Sequence, residues 1–538
     1  MTRYIFITGG VVSSLGKGIA SSSIASLLQL SKYKVRIRKL DPYLNIDPGT
    51  MNPSQHGEVF VTDDGAETDM DLGHYERFTG ILSKKSDNIT TGKIYSEVLR
   101  KERRGDYLGS TVQVIPHVTD EIKKFIKTDL QNEDFVICEI GGTVGDIESL
   151  PFLEAIRQLR NELGKEKTCF VHLTLLPFIE SANEFKTKPT QHSVKELLSS
   201  GIQPDILVCR TSKKFNVESK KKISLFCNIP LESVIMAIDV KSIYEVPLTL
   251  HSEKIHDRIF DHFLIKSNKK VSLDIWTKFN KSILKLSKEV SVAIVGKYVN
   301  LTESYKSLYE ALFHSGVYNN VKVKITWIDS VLLKDLMSCE KILKEYKGII
   351  VPGGFGKRGA NGKINAIKYA KINKKPFLGI CFGMQMAVLE SIREIKGYED
   401  STSAEFDKKG NNVISYMNEW IENYKIHKQD KQNYGGSMRL GSYVSKLNKD
   451  SHIYSIYKTN KITERHRHRY EVNYNFKKII ESSGVFFSGM SPDGKLAEVM
   501  EIKNHPWFIA VQFHPELKST PFKPHPIFNS FINILKKR

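Results

Sequence analysis

The first 265 residues alternate short apolar runs with longer helix-forming stretches. The apolar runs are bounded by polar or glycine-rich segments, which is typical of strands that alternate with helices. The predicted strands lie at residues 4–8, 35–40, 135–140, 168–175, 206–209 and 234–237. This order predicts an α/β fold with a parallel sheet that helices cover on both faces.

A second pattern of the same kind follows a polar, lysine-rich segment between His251 and Lys288. New strands are predicted at residues 290–296, 321–328, 348–351 and 376–380. Residues 398–434 are polar and irregular, and we expect an insertion there. We therefore expect one α/β domain over residues 1–265, a linker over 266–289 and a second α/β domain over 290–538.

The composition is ordinary for a globular protein with sizeable cores, with 40% hydrophobic and 26% charged residues. No apolar run approaches the length of a membrane span, and the N-terminal segment turns polar too quickly for a signal peptide. The six cysteines are scattered without a Cys-x-x-Cys pair, so neither a zinc site nor a disulfide framework is indicated. We expect a reduced, cytoplasmic protein without a membrane partner.

The formal net charge is +20, which permits a nucleic-acid partner. The lysines are nevertheless spread along the whole chain in short groups, without a basic helix face or an aromatic RNA-binding signature. We interpret most of the excess as solvated surface lysine and expect no nucleic-acid partner.

The segment around Cys381 predicts a nucleophile. An apolar run ends in the sequence Gly379-Ile380-Cys381-Phe382-Gly383, and a helix-forming stretch follows. This is the cysteine form of a nucleophile elbow, in which flanking glycines allow a sharp turn and the helix N-terminus favours the thiolate. About 130 residues later, His514 and Glu516 offer a base and a carboxylate that could orient it. Together these residues indicate acyl transfer through a thioester.

The segment from Gly9 to Ile19 predicts a phosphate site, because it is rich in glycine, contains Lys17 and connects the first strand to a helix. It departs from the usual P-loop in its spacing, and Gly18 stands where a magnesium-binding hydroxyl is usual. Magnesium ligands are therefore sought elsewhere, in the acid-rich run that ends at Asp71 and in Glu139 at the end of a predicted strand.

These segments, taken in order, closely resemble the CTP synthase family over nearly the whole chain. The resemblance includes Lys39 to Tyr43, Gln55 to Val61, the run from Asp71 to Phe78, Arg465 to Glu471, and the cysteine elbow. The family converts UTP to CTP with ATP, Mg²⁺ and L-glutamine, so the resemblance implies an amidoligase domain followed by a class I glutamine amidotransferase domain.

For the amidotransferase domain, the resemblance implies that Cys381 is the nucleophile, His514 the base and Glu516 its orienting acid. The glutamine-binding positions that it implies are Gly354, Phe382, Gly383, Met384, Gln385, Glu405 and Arg469. An acid and a guanidinium suit the α-ammonium and α-carboxylate of glutamine. Phe382 stands where leucine is common in the family, and we expect its contribution to come largely from its backbone.

For the synthetase domain, the resemblance implies Mg²⁺ ligands at Asp71 and Glu139, and a phosphate contact at Lys39. The implied ATP-binding positions are Ser14, Leu15, Gly16, Lys17, Gly18, Ile19, Asp71, Ile238, Asp239 and Val240. The implied UTP- and CTP-binding positions are Ser13, Asp146, Ile147, Glu148, Lys186, Thr187, Lys188, Pro189, Thr190, Gln191 and Lys222.

The resemblance also implies a homotetramer, activation by GTP, and feedback inhibition by CTP. Arg358 and the segment 435–441 are candidates for the part of the chain that responds to GTP. Two other hypotheses stay open at this point. One is another ATP-dependent amidoligase with a glutaminase domain, of the cobyric-acid-synthase type; the other is a basic nucleic-acid-binding or filament-forming protein with a degenerate active site.

Overall fold

The structure is a computed structural model that describes residues 2–266, 271–297, 302–416, 419–422, 425–428 and 438–538. The chain divides into two compact units. Residues 1–48 and 71–281 form the first, and residues 49–70 and 282–538 form the second. A short segment of the N-terminal half thus belongs with the second unit. The domain boundaries at residues 265 and 290 stay predictions.

The first unit contains a parallel sheet of seven strands. Their spatial order is Val234–Ile238, Ile206–Thr211, Thr168–Leu175, Arg3–Gly9, Phe135–Ile140, Val35–Asp41 and Asn88–Thr90. Every residue of Phe135–Ile140 is buried, which explains its continuous apolar run, since helices cover both faces of a parallel sheet. The predicted α/β fold with a parallel sheet is confirmed.

The helices of the first unit are Lys17–Leu30, Asp71–Thr79, Thr91–Arg104, Thr119–Lys127, Leu150–Leu163, Lys188–Ser199, Val217–Cys227, Val246–Ser252 and Ile255–His262. Local sequence sets their ends: the Thr90 hydroxyl accepts from the Lys93 N–H at 3.1 Å, as an N-cap residue does. The segment predicted as a linker contains the helix Asp274–Leu284. Its buried Trp276 donates to the Ser26 hydroxyl at 2.9 Å, which ties this helix to the first unit.

The second unit contains a mixed sheet of nine strands. Their spatial order is Lys322–Asp329, Glu289–Gly296, Gly348–Val351, Phe377–Ile380, Phe508–Val511, Ala497–Ile502, Val485–Met490, Arg439–Leu447 and Lys461–His468. The first five are parallel, and the rest are antiparallel. The carboxyl ends of the central parallel strands therefore meet at one edge, where ligands of α/β proteins usually bind.

The helices of the second unit are Pro53–His56, Lys306–Tyr318, Leu336–Leu343, Ala360–Ile372, Phe382–Ile392, His452–Tyr457, Lys477–Ser482 and Pro526–Lys537. Smaller strand groups are Thr402–Ser403 with Asn412–Tyr416 and Tyr470–Val472, Glu419–Glu422 with Lys425–Lys428, and Phe60–Val61 with Glu67–Thr68. In the first unit, Phe178–Ile179 pairs with Glu184–Phe185. Over the described ranges, no helix combines the length and apolar character that crossing a membrane requires.

Candidate active sites

Cys381 occupies a strained turn between the strand Phe377–Ile380 and the helix Phe382–Ile392. Its φ of 51° and ψ of −102° are unfavourable for a residue with a side chain, and such strain is common at functional sites. Gly383 is needed for this turn, because a Cβ there would lie 2.1 Å from the Val351 carbonyl oxygen. The predicted elbow is present, with the thiol at the N-terminus of a helix.

His514 and Glu516 follow the neighbouring strand Phe508–Val511. Nδ1 of His514 lies 2.7 Å from Oε1 of Glu516, while Nε2 has no hydrogen-bond partner among the described residues. Burial opposes protonation of His514, but the Glu516 carboxylate and the Cys381 sulfur outweigh it and raise its pKa well above the usual value. A protonated imidazole near the thiol favours a thiolate–imidazolium pair.

Cys381, His514 and Glu516 line one cavity of about 200 Å³ in the second unit. The Cys381 thiol lies 3.7 Å from the Arg467 carbonyl oxygen, and Gln512 donates towards its sulfur at 3.7 Å. Gly353 lies against the His514 ring, since a Cβ there would be 2.9 Å from Cε1. The cavity therefore has room for a small substrate beside the nucleophile.

The segment Gly49–Met70 also contributes to this cavity, through Gly49, Met51, Pro53, Glu58 and Val59. Two arginines of the Arg465–Glu471 run bind the segment. Arg465 pairs with Asp63 at 2.5 Å, and Arg467 pairs with Glu67 at 2.8 Å and donates to the Gly49 carbonyl oxygen at 3.0 Å. These ion pairs explain why a distant part of the sequence belongs to this unit.

The glutamine-binding candidates are not equally accessible. Gly354 lines the cavity, and Oε1 of Glu405 accepts from the Gly356 N–H at 2.6 Å. Burial raises the pKa of Glu405, although this hydrogen bond and nearby cations that include Arg469 oppose the shift. Met384 is fully buried in the hydrophobic core, so its side chain is not available to a ligand. Gln385 donates to the Tyr470 carbonyl oxygen at 2.9 Å.

In the first unit, the predicted phosphate loop precedes the helix Lys17–Leu30. Val11, Ser14 and Gly16 have positive φ, and the N-terminus of this helix carries no side-chain cap. Its first backbone N–H groups are therefore available to an anion. Nζ of Lys17 donates to the Gly142 carbonyl oxygen at 2.7 Å, and burial together with the nearby Lys39 lowers the pKa of Lys17.

Arg210 connects two of the ATP-binding candidates, although the sequence interpretation did not include it. Its Nε donates to Asp239 at 2.8 Å, and its Nη1 donates to the Ser14 carbonyl oxygen at 3.1 Å. The segment Ile238-Asp239-Val240 therefore lies beside the phosphate loop. A signal was present in the sequence, since Arg210 comes at the carboxyl end of a predicted strand, where parallel sheets bind ligands.

The predicted magnesium ligands converge on Lys39. Its ammonium contacts Asp71, lies 2.9 Å from Glu139 and is 3.8 Å from Asp41. Burial opposes ionisation of Asp71, yet Lys39 keeps its pKa at about 2. Burial raises the pKa of Asp41 to about 6 in spite of Lys39. Converging carboxylate oxygens are the ligands that Mg²⁺ prefers, so these residues fit the ion.

The UTP-binding candidates lie around the helix Lys188–Ser199, which begins just after Lys186 and Thr187. Thr190 donates to the Leu175 carbonyl oxygen at 3.0 Å, and Gln191 donates to Thr187 at 3.0 Å. The other candidates lie outside this hydrogen-bonded group: Ser13 in the exposed loop, Asp146-Ile147-Glu148 on an exposed turn, and Lys222 on the helix Val217–Cys227.

A buried hydrogen-bond chain connects this helix to the strand that leads into the phosphate loop. His172 contacts Thr8 through Nδ1 and Ser193 through Nε2, both at 2.8 Å. Gly10 approaches Ser193 so closely that a Cβ would lie 1.9 Å from its hydroxyl oxygen. His172 and Ser193 were missed because neither belongs to a motif with a recognisable spacing.

Comparison with known protein families gives a match for each half of the chain. Residues 300–534 match the family described as glutamine amidotransferase class-I, and residues 3–265 match the family described as CTP synthase N-terminus. The second unit is therefore a class I glutamine amidotransferase, joined to a synthetase unit.

The relatives extend over the full chain. CTP synthase of Pelagibacter ubique is 61% identical over 100% of this chain and 99% of its own length. CTP synthase of Paramagnetospirillum magneticum is 59% identical over 99% and 98%. A solved structure, the glutaminase domain of Trypanosoma brucei CTPS with bound acivicin, is 35% identical with a TM-score of 0.42; the match covers 46% of this chain and 94% of that one.

The chain belongs to the CTP synthase family. It is thus a glutamine-hydrolysing carbon–nitrogen ligase that makes CTP from UTP. The family assignment predicted from the sequence is confirmed. A cobyric-acid-type amidoligase is not favoured, because relatives that match end to end are named CTP synthase.

Proposed function

We propose that this chain makes CTP in two coupled half-reactions that use glutamine, ATP and UTP. The observation that carries the proposal is the strained Cys381 elbow, which shares a cavity with the His514–Glu516 pair. A thiolate beside an oriented imidazole is the arrangement that amide hydrolysis through a thioester requires.

In the first half-reaction, the Cys381 thiolate attacks the amide carbon of glutamine. The carbon–nitrogen bond breaks as protonated His514 gives its proton to the leaving ammonia. Water then attacks the thioester, with His514 as base, and releases glutamate. Glu516 holds Nδ1 of His514, while backbone N–H groups of Gly354 and Phe382 stabilise the oxyanion. Glu405 and Arg469 suit the α-ammonium and α-carboxylate of the substrate.

In the second half-reaction, the γ-phosphoryl group of ATP passes to O4 of UTP. Ammonia then attacks C4 of the pyrimidine, and phosphate leaves with the former O4 oxygen. Lys17 and the backbone of the loop from Ser13 to Ile19 bind phosphates. Asp71 and Glu139 would hold Mg²⁺, which neutralises phosphate charge when it is bound.

Regulation, assembly and location belong to the same proposal. We expect GTP to activate glutamine hydrolysis, CTP to inhibit by competing with UTP, and the chain to form a homotetramer in the cytoplasm. Arg358 is part of the proposed GTP-responsive region. Residues 435–437 of that region lie outside the described residues. A reducing compartment agrees with the six cysteines, all of which are free.

The test is CTP formation from UTP, ATP and Mg²⁺, with glutamine and GTP compared against ammonium chloride. Product with both nitrogen donors supports both half-reactions. Product with ammonium alone would contradict the proposed role of the Cys381 site, and folded protein that makes no product with either donor would contradict the synthetase assignment.

A further inference from the structure

Lys363 is a fully buried lysine beside the cysteine site. It lies on the helix Ala360–Ile372, and its relative exposure is 0%. Its ammonium has no hydrogen-bond partner among the described residues. A buried ammonium without such a partner is costly, since it loses its hydration and gains no replacement. Because Lys363 does not stabilise the fold, its position indicates a role in the function of the site.

The surroundings of Lys363 point to the reacting centre. Its Nζ lies 3.3 Å from the place where a Cβ on Gly354 would stand, so the ammonium is packed against the backbone of the Gly353–Gly354 segment. The same ammonium lies 4.7 Å from the centre of the Phe382 ring. Lys363 also lines the cavity that contains Cys381. It thus lies next to both backbone segments that we propose as oxyanion donors.

Phe382 supplies an attraction that does not neutralise the cation. An aromatic ring attracts an ammonium through its quadrupole while the charge remains in place. Leucine, which is common at this position in the family, offers no such face. The Phe382 ring therefore helps to hold Lys363 in this buried position in this particular chain.

We propose that Lys363 is a positioning residue for glutamine hydrolysis, whose buried positive charge stabilises the Cys381 thiolate and the oxyanion that forms beside Gly354. This inference rests on the proposed role of Cys381 as nucleophile. A positive charge in a site of low polarity acts more strongly on a developing anion than it would in water. Within the described ranges no anion accepts a hydrogen bond from this ammonium, so its field is available to the reaction.

Other charged groups also act on the Cys381 thiol and on the oxyanion position, and together with Lys363 they determine the electrostatic potential there. Lys297 adds positive charge, Glu405 adds negative charge, and the His514–Glu516 pair faces the thiol. Arg467 lines the cavity as well. Burial and the nearby Lys297 lower the pKa of Lys363 to about 7, although Cys381 and Glu405 oppose the shift. Its charge is therefore sensitive to pH in the neutral range.

The test is Lys363→Met in the full-length chain, which keeps the length of the side chain and removes its charge. The rate at which iodoacetamide inactivates glutaminase activity is measured against pH. We expect the midpoint for thiolate formation to rise by about one pH unit, and kcat/KM for glutamine near pH 7 to fall about tenfold. Ammonia-dependent CTP formation should stay at the wild-type level and thereby report correct folding.

Two further variants make the result decisive. Lys368→Met removes a lysine of the same helix that pairs with Glu394 at 3.7 Å, and it should leave the alkylation profile unchanged. Phe382→Leu should shift the midpoint in the same direction by a smaller amount, and it replaces Lys363→Met if that variant does not fold. A wild-type profile in a folded Lys363→Met protein, or in Phe382→Leu when it is the substitute, would overturn the inference.

Different results would show that the proposed function itself is wrong. If wild-type glutaminase activity survives alkylation, or if Cys381→Ala retains that activity, Cys381 is not the nucleophile. If both depend on Cys381 and only Lys363→Met behaves as wild type, the error lies with Lys363 alone.

Discussion

Each unit contains a buried lysine at its proposed site, and the two lysines have opposite surroundings. Lys39 in the first unit contacts Asp71 and Glu139, and Asp41 lies 3.8 Å away. Lys363 in the second unit has no hydrogen-bond partner within the described part of the chain and lies against an aromatic ring. Both are nearly inaccessible to solvent. The difference therefore lies in the pairing of the charges.

This contrast reflects the charge that each site has to bind. In the first unit, the cation holds together carboxylates that would otherwise repel one another, where Mg²⁺ and phosphates are proposed to bind. In the second unit, negative charge appears only during the reaction, on a sulfur and then on an oxygen. A cation that is already neutralised would contribute little to stabilising that transient charge.

Cys381→Ala should have the largest effect. We expect glutamine-dependent CTP formation to fall by about 10⁶-fold, which is the loss seen when the nucleophile of a hydrolase is removed. Ammonia-dependent formation should remain, because the first unit is unchanged. Assays with both nitrogen donors measure the difference. An equal loss with both donors from folded protein would contradict the division into two sites.

Asp71→Asn combined with Glu139→Gln should lower the rate of CTP formation with either nitrogen donor by about 10³-fold, because the site loses its anionic ligands for the cation. Glutaminase activity should survive in part. Titration with Mg²⁺ provides the measurement, and Lys17→Ala offers a comparison that weakens phosphate binding instead. A normal dependence on Mg²⁺ would refute both ligand assignments.

Lys39→Met should destabilise the chain, because it leaves buried carboxylates without their cation. We expect the free energy of unfolding to fall by about 3 kcal/mol, which is typical when one partner of a buried ion pair is removed. Denaturant unfolding of the full chain, followed by fluorescence, measures the change. Stability equal to that of the wild type would show that Lys39 does not hold this cluster together.

Lys363→Met should have the smallest effect on stability, and in the opposite direction. Its buried ammonium has no hydrogen-bond partner in the part of the chain that the structure describes, so replacing it by an apolar chain should raise the free energy of unfolding by about 1 kcal/mol. The pKa of Lys363 is about 7 in the folded chain, against an ordinary value of 10.5. The charge of Lys363 therefore lowers the free energy of unfolding by its full amount below pH 7, and this destabilisation decreases as the pH rises from 7 to 10.5.

Measuring the free energy of unfolding of both proteins at pH 6.5 and at pH 9.5 tests this pH dependence. The increase in the free energy of unfolding caused by Lys363→Met should be larger at pH 6.5. A variant that is less stable than the wild type at both pH values would show that the ammonium has a stabilising partner.

Most of the parallel strands were predictable because they are continuous apolar runs, whereas the parallel strands Asn88–Thr90 and Phe508–Val511 were not predicted. Those at 135–140 and 168–175 coincide with their predicted bounds, since every residue of Phe135–Ile140 and nearly every residue of Thr168–Leu175 is buried. The antiparallel strands of the second unit were missed. Arg439–Leu447 is buried only at alternate positions, and Lys461–His468 contains charged residues that are buried through ion pairs.

The chemistry of the sites was only partly predictable. Cys381 and His514 belong to motifs whose spacing indicates a mechanism. Lys17 was found from its glycine-rich loop between a strand and a helix, and the resemblance to the family added the remaining candidates. Lys363 had a weaker signal: it precedes Ile367 by four residues and Ala370 by seven, which places it on the apolar face of a helix. Sequence spacing does not show whether such a lysine finds a partner, because the partner comes from another part of the fold.

The most direct test of the central claim follows the nitrogen atom. Wild-type protein is given glutamine labelled with ¹⁵N at the side-chain amide, together with UTP, ATP, Mg²⁺ and GTP, and the CTP is analysed by mass spectrometry. The account predicts that CTP carries the label at its exocyclic amine, and that Cys381→Ala forms no labelled CTP. Unlabelled CTP from the wild type, or labelled CTP from Cys381→Ala, would contradict it.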